Sequence, residues 1–300
     1  MTPHRSPFAL AAAACMTLCA AAAVAEVSVL KDQAGRCMGT LEIYDRSTAP
    51  PRFWTPVRGN ADQMLLLNPA GDSFRDGRPS VVMNPVTGWP EAVWSYWDGG
   101  DYEIAWSRFD GTSWKLVVTP AGPDFEFLTD NQSQDLDPRL WIDHLGTRHV
   151  AWWRLGPQGI NEIIFTRLPA GETQWWLPSR ISQEGVSTSR PDIRTVRPWG
   201  TFIAAQERNA ASETSVVVLE EPPVDPRRPP QRGSDPWGRF FLRTAGDELS
   251  LGVQIGEVGA PGGAIPVISW RDGGSLLSSY FDPEASTWAA PVISPLPPAW

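Results

Sequence analysis

Three carboxylates stand where acid–base chemistry would have to be sited. Asp137, Asp192 and Glu207 fall on, or just after, segments that read as innermost strands. A general acid needs a base or nucleophile a few ångströms away, with the two pKa values pushed apart. Arg78, Arg139 and Arg190 mark the starts of three comparable segments, and a guanidinium is a planar fork for a carboxylate. Arg139 follows its proline whereas Arg78 and Arg190 precede theirs, so the three need not point alike. Their other use is to bridge neighbouring segments by pairing with Asp76, Asp137 and Asp192. Trp97, followed by Asp98-Gly99-Gly100-Asp101, reads as a loop aromatic beside polar groups, able to stack on a sugar ring or on a partner's aromatic side chain. With Arg154 these residues form the candidate binding set. No metal and no cofactor is expected. The acidic stretch 130–137 lacks the Gly and twelfth-position Glu of a helix–loop–helix calcium loop, and His144 and His149 flank a Gly turn.

The elements that must position these groups repeat along the chain. Glu103-Ile104-Ala105-Trp106-Ser107-Arg108 aligns with Glu162-Ile163-Ile164-Phe165-Thr166-Arg167: Glu-Ile, an aromatic, a hydroxyl, then Arg. Each is followed by a turn and a Trp-led strand, at Trp114 and at Trp175. Weaker copies lead to Trp54, Trp237 and Trp288, so the Trp positions are spaced by 60, 61, 62 and 51 residues. Upstream, Arg78-Pro79, Asp137-Pro138 and Arg190-Pro191 read as strand starts, where Pro loses no needed ladder donor. Gly-turn strands follow from Gly88, Gly146, Gly200 and, more divergently, Gly263. Four short strands per unit of about 60 residues is the signature of a propeller blade. The fold class expected is all-β: a β-propeller of five mostly four-stranded antiparallel blades at roughly 26–60, 61–120, 121–182, 183–245 and 246–300. The first is read as short, with three strands.

The repeat resembles the sialidase-like propellers with bacterial neuraminidase repeats, or Asp boxes. Ser107 to Trp114 fits that box with Asp110 and Gly111 adjacent. Thr166 to Trp175 keeps Gly171 and Thr173 but has no Asp; Ser279 to Trp288 keeps Asp282 and Thr287 but has no Gly. The resemblance spans about residues 40–295. It implies that Ser107, Asp110, Gly111, Trp114, Thr166, Gly171, Trp175, Asp282 and Trp288 are turn and blade residues. A short side chain accepts backbone N–H groups, Gly permits positive φ, and Trp packs between sheets. An active member would need an arginine trio, a Tyr–Glu nucleophile pair and an acid Asp; no Tyr–Glu pair stands out here. Five-bladed glycosidases use inward carboxylates across a funnel, the part that Asp137, Asp192 and Glu207 would play.

Residues 8–25 form an Ala-rich apolar run behind His4 and Arg5, ending in Ala23-Val24-Ala25. That is a secretory signal with cleavage expected between Ala25 and Glu26, giving a secreted or periplasmic protein. Of three cysteines the mature chain would keep only Cys37, which excludes an internal disulfide and a multi-thiolate zinc site. Loss of Arg5 leaves 24 basic against 34 acidic residues, a net charge of −10, which disfavours nucleic acid and anionic membrane. No apolar run of spanning length follows residue 25. The sixteen Trp can fill a core, and the 26 Gly and 30 Pro suit turns more than long helices. The stretch 220–236 is expected to be a Pro-rich surface insertion. These features lead to an exported, non-catalytic propeller that binds a protein or glycan partner on its loop face. A glycoside hydrolase of sialidase-like or five-bladed type is the alternative.

Overall fold

The computed structural model describes residues 24–31, 37–44, 52–54, 64–66, 77–109, 114–115, 126–156, 158–209, 213–221, 237–242, 253–260, 263–272 and 275–294. The described elements are all strands, and no described helix is long and apolar enough to cross a membrane. The Ala-rich run to residue 23, Asp110 and Gly111 expected in a turn, and the Pro-rich stretch 222–236 lie outside the described residues.

Among the described residues, five antiparallel sheets follow one another along the chain, each with its strands in sequence order. The first holds β1 (Val24–Lys31), β2 (Cys37–Tyr44), β3 (Arg52–Trp54) and β4 (Met64–Leu66). The second holds β5 (Gly77–Met83), β6 (Pro90–Trp97), β7 (Tyr102–Phe109), β8 (Trp114–Lys115) and β9 (Glu126–Phe127). The third holds β10 (Asp135–Ile142), β11 (Arg148–Leu155), β12 (Asn161–Leu168) and β13 (Ser179–Arg180). The fourth holds β14 (Ser187–Val196), β15 (Gly200–Arg208), β16 (Thr214–Glu220) and β17 (Gly238–Leu242). The fifth holds β18 (Gln254–Ala260), β19 (Gly263–Asp272), β20 (Ser275–Asp282), β21 (Thr287–Trp288) and β22 (Val292–Ser294). Neighbouring sheets meet through their first strands: β1 lies against β5, β5 against β10, β10 against β14, and β14 against β18. First strands innermost and sheets fanned outward is the propeller arrangement expected from the repeat. The first sheet has four strands, not three, because Met64–Leu66 pairs with β3. The second likewise runs past residue 120, since β9 pairs with β7.

The core lies between sheets. One cluster joins Val93, Ile104 and Trp106 to Leu140, Val150 and Trp152 of the next sheet. A second joins Ala151, Ile163 and Phe165 to Ile203 and Val217. A third joins Phe202, Ala204 and Val218 to Ile255, Ile268 and Trp270. Val150 and Ala151 thus face opposite clusters. A middle strand is buried on both faces, which is why these segments read as continuous apolar runs.

Two features depart from the sequence reading. The x-Pro pairs do not begin their strands. Each sits inside an innermost strand at a register break, between Gly77 and Ser80, Leu136 and Arg139, and Ser189 and Asp192. Asp137 and Arg190, the residues before Pro138 and Pro191, both have φ of 53°. Pro cannot donate to the ladder, and a bulge removes the demand for its donor in mid-strand. The outermost strand is also not a single run. The third strand pairs twice, first with a Trp-led piece and then with a second piece: β7 with β8 and β9, and β20 with β21 and β22. Trp175 accordingly lies ahead of β13, in an extended segment where Trp176 N–H donates to Arg167 O at 2.9 Å.

In the third, fourth and fifth sheets the aromatic at the fourth position locks onto the preceding sheet. Trp175 meets Trp106 edge-on at 5.4 Å, Trp237 meets Phe165 at 5.1 Å, and Trp288 meets Phe202 at 5.9 Å. The hydroxyls line up as well. Thr166 Oγ1 donates to Trp176 O at 2.6 Å and Ser279 Oγ to Ala289 O at 2.7 Å, each to the residue after its Trp. Ser107 is buried at the matching place on β7.

Candidate functional site

Strand alternation fixes which groups share a face. The beginnings of β5, β10 and β14, the ends of β6, β11 and β15, and the loops from second to third strands all lie at one end of the sheets. Buried polar groups collect there.

Asp135, the first residue of β10, is fully buried. Its Oδ1 accepts Trp152 Nε1 and Arg154 Nε, both at 2.7 Å, and its Oδ2 accepts Arg154 Nη2 and Asn131 Nδ2, both at 2.8 Å. Arg154, a candidate binding residue, is therefore half of a bidentate buried pair. Asp137, at the bulge, is buried and accepts Trp153 Nε1 at 2.8 Å. Glu207, near the end of β15, is buried and bonded to Arg239 of β17. Asp192 lies farther along β14, beyond its bulge, and its Oδ2 accepts Ile255 N–H of the fifth sheet at 2.7 Å. Burial pushes this carboxyl up, while the N–H groups of Ile255 and Ile193 and the charge of Arg139 pull it down, with burial prevailing. The three acids are thus held by separate partners in separate places.

The arginine trio is not brought together. Arg139 of the third sheet is electrostatically coupled to Asp192 of the fourth. Arg190 sits exposed on its bulge, two residues out of phase with Arg139. The side chain of Arg78 lies outside the described ones. Ser80, in phase with Arg139 and Asp192, accepts Leu140 N–H at 3.1 Å. This position staples one innermost strand to the next in two of the three cases.

Trp97 is the last residue of β6, half-buried, and packs edge-on against Tyr102 at 5.0 Å instead of standing on a loop. The turn after it is closed by Asp98, whose Oδ1 accepts Gly100 N–H at 2.7 Å and Asp101 N–H at 3.0 Å, with Gly99 at φ 108°. The same chemistry recurs at Asp282, whose Oδ1 accepts Glu284 and Ala285 N–H groups at 2.9 and 3.1 Å. Gly171 takes φ 82° in the matching turn of the third sheet.

Two buried acids here were missed by sequence reasoning. Glu103 is 2% exposed. Burial lifts its carboxyl to about 7 against the opposing pull of Asn131 N–H, bonded at 2.7 Å, and the Thr129 hydroxyl. Asp101 is 8% exposed and its Oδ2 accepts no hydrogen bond from the described residues. Burial and the neighbouring charges of Asp98, Asp135 and Asp130 raise it. Glu103 was read only as a marker of the Glu-Ile repeat. Its counterpart Glu162 is half-buried and paired with Arg180 at 2.9 Å, so one motif serves two environments.

On the opposite face, Glu91 is buried under Arg148, Trp106 Nε1 and Asn84. Nearby His149 Nε2 lies 3.6 Å from Asp143 Oδ2, beyond hydrogen-bond distance. Burial would raise Asp143, yet His149 and the N–H groups of Thr147 and Leu145, both at 2.9 Å, hold it at about 2.

No family model matches the chain, and no curated protein matches it. Solved structures do. The alpha-L-arabinanase of Penicillium chrysogenum, complexed with arabinobiose, superposes with a TM-score of 0.55 at 12% identity, over 90% of this chain and 80% of its own. The Hadza microbial sialidase Hz136 gives 0.53 at 13% identity, over 89% of this chain and 57% of its own. The chain thus spans little more than half the length of that sialidase. These likenesses show the fold: a sialidase-like β-propeller of the kind found among glycoside hydrolases.

Proposed function

We propose that this protein is an exported propeller that recognises a carbohydrate on the face where its innermost strands begin. The observation that carries the reading is the gathering of buried Asp, Glu, Arg and Trp side chains at that end of the second to fourth sheets, on a fold shared with an arabinanase and a sialidase. Trp97 and Tyr102 offer the apolar surface for a sugar ring, exposed Asp98 follows Trp97, and exposed Arg190 lies at the same end of the fourth sheet.

Recognition can take two forms. Glycoside hydrolysis of sialidase-like or five-bladed type has the better support from the likenesses. Asp192, raised by burial, would be the general acid, with Asp137 or Glu207 as the second acidic residue. Non-catalytic binding of a glycan or protein is favoured by a different observation: Trp153, Ile255 and Arg239 already occupy these three acids. A panel of fluorogenic sialosides, arabinosides and xylosides decides between them. Turnover that Asp192→Asn abolishes in a folded protein establishes hydrolysis. Retention on a glycan array without turnover, lost in Trp97→Ala, establishes binding. Neither turnover nor retention overturns the carbohydrate reading.

Degenerate Asp boxes account for the hydroxyl–carbonyl bonds of Thr166 and Ser279 and for the Asp282 turn. Export rests on the Ala-rich run before Glu26. Amino-terminal sequencing of the protein recovered outside the cytoplasm should begin at Glu26.

A further inference from the structure

We propose that Asp98, Asp101 and Glu103 form a calcium site at the tip of the β6–β7 hairpin. One carboxylate oxygen from each lies within 4.8 Å of the other two. Three oxygens that close together can share one Ca2+, which takes a flexible shell of oxygens at 2.3–2.6 Å, whereas Mg2+ demands a near-ideal octahedron and keeps most of its waters. The donor set is all oxygen, with neither His nor Cys, which selects a hard cation.

A second observation points to a ligand independently. Asp101 is more than nine-tenths buried, and its Oδ2 is satisfied by no group among the described residues. A carboxylate oxygen in that state is costly unless a cation or a donor reaches it. The charge surroundings make the cation the fitting answer, because Asp98, Asp135 and Asp130 all bear on Asp101. Arg154, whose charge reaches Glu103, already spends Nε and Nη2 on Asp135. The other carboxylates keep room for a metal. Asp98 turns Oδ1 to the Gly100 and Asp101 N–H groups, which leaves Oδ2 for a ligand. Glu103 takes its protein donors from the Asn131 side, and each carboxylate oxygen has two lone pairs. Water completes the six to eight ligands that Ca2+ takes. The site would tie the β6–β7 hairpin to the segment 129–131 leading into β10, fixing two edges of the proposed binding face.

The test uses the chelator-treated full-length chain. Tb3+ is titrated with excitation of Trp, Trp97 and Tyr102 serving as the antenna, and Ca2+ is then added in competition. Thermal unfolding is followed with and without 1 mM Ca2+. We expect saturable Tb3+ emission that Ca2+ displaces and Mg2+ at equal concentration does not, and a Tm raised by about 5 °C. Asp101→Asn and Glu103→Gln should each abolish both effects. Metal-free Asp101→Asn should unfold no lower than the metal-free parent, because the substitution removes like-charge repulsion. Absence of displaceable emission in the parent overturns the site without recourse to any variant. So does displacement that survives both substitutions, or displacement by Mg2+ as readily as by Ca2+. A carbohydrate test that fails leaves this result untouched.

Discussion

Asp135 accepts from Trp152, Arg154 and Asn131 at once, and none of these donors has water to fall back on in full. Asp135→Ala should cost about 3–5 kcal/mol in chemical denaturation, since it strands the buried Trp152 indole N–H together with a half-buried guanidinium. A loss under about 1 kcal/mol would mean that Arg154 finds solvent. Asp143 carries a pH dependence whose sign is fixed by its lowered pKa. Its folded value is about 2 and its unfolded value about 3.9, so the stability it lends is complete above pH 4–5 and drains away as pH falls toward 2. Asp143→Asn should cost about 1–2 kcal/mol at pH 5–7 and little near pH 2, which flattens the stability profile across that window. The residue types of the polar face were legible in the sequence, but their partners were not. Asp137, Asp192 and Glu207 carry no mark that Trp153, a main-chain N–H of the next sheet and Arg239 will claim them. Those contacts arise from registers set by bulges, and local patterning is silent about them.

At the scale of the element, the third-strand hydroxyl is the unit that repeats. Thr166→Val and Ser279→Ala each leave a carbonyl at the fourth position unpaired, and each should cost about 1–2 kcal/mol, the two losses adding because the sites are remote. Unequal or strongly non-additive losses would show that the two turns are not equivalent. The hydroxyl-to-Trp spacing was plain in the sequence because it is a local device spanning one hairpin. The mid-strand place of Pro79, Pro138 and Pro191 was not, since an x-Pro pair looks the same at a strand start and at a bulge. The divided outer strand was equally hidden. Its second pieces, such as Glu126–Phe127 and Ser179–Arg180, are two residues long and carry no alternation to read.

At the scale of the molecule, the interior is a series of seams, each closed by two sheets. Removal of residues 246–300 takes away half of the seam formed by Phe202, Ala204 and Val218 with Ile255, Ile268 and Trp270. The truncated chain should bind a hydrophobic dye and lose its sharp thermal transition, whereas an independently stable four-sheet remnant would keep both dye exclusion and cooperativity. The seams also have a direction. Trp175 closes over Trp106, Trp237 over Phe165 and Trp288 over Phe202, always from a later repeat onto an earlier one. A ribosome releases this chain from its amino end, so the second, third and fourth sheets each wait, with an aromatic flank bare, for the tryptophan of the repeat still being made. The growing protein is therefore adhesive along its whole synthesis, and a passage across a membrane in extended form would spare it that interval by letting all the seams close together on the far side.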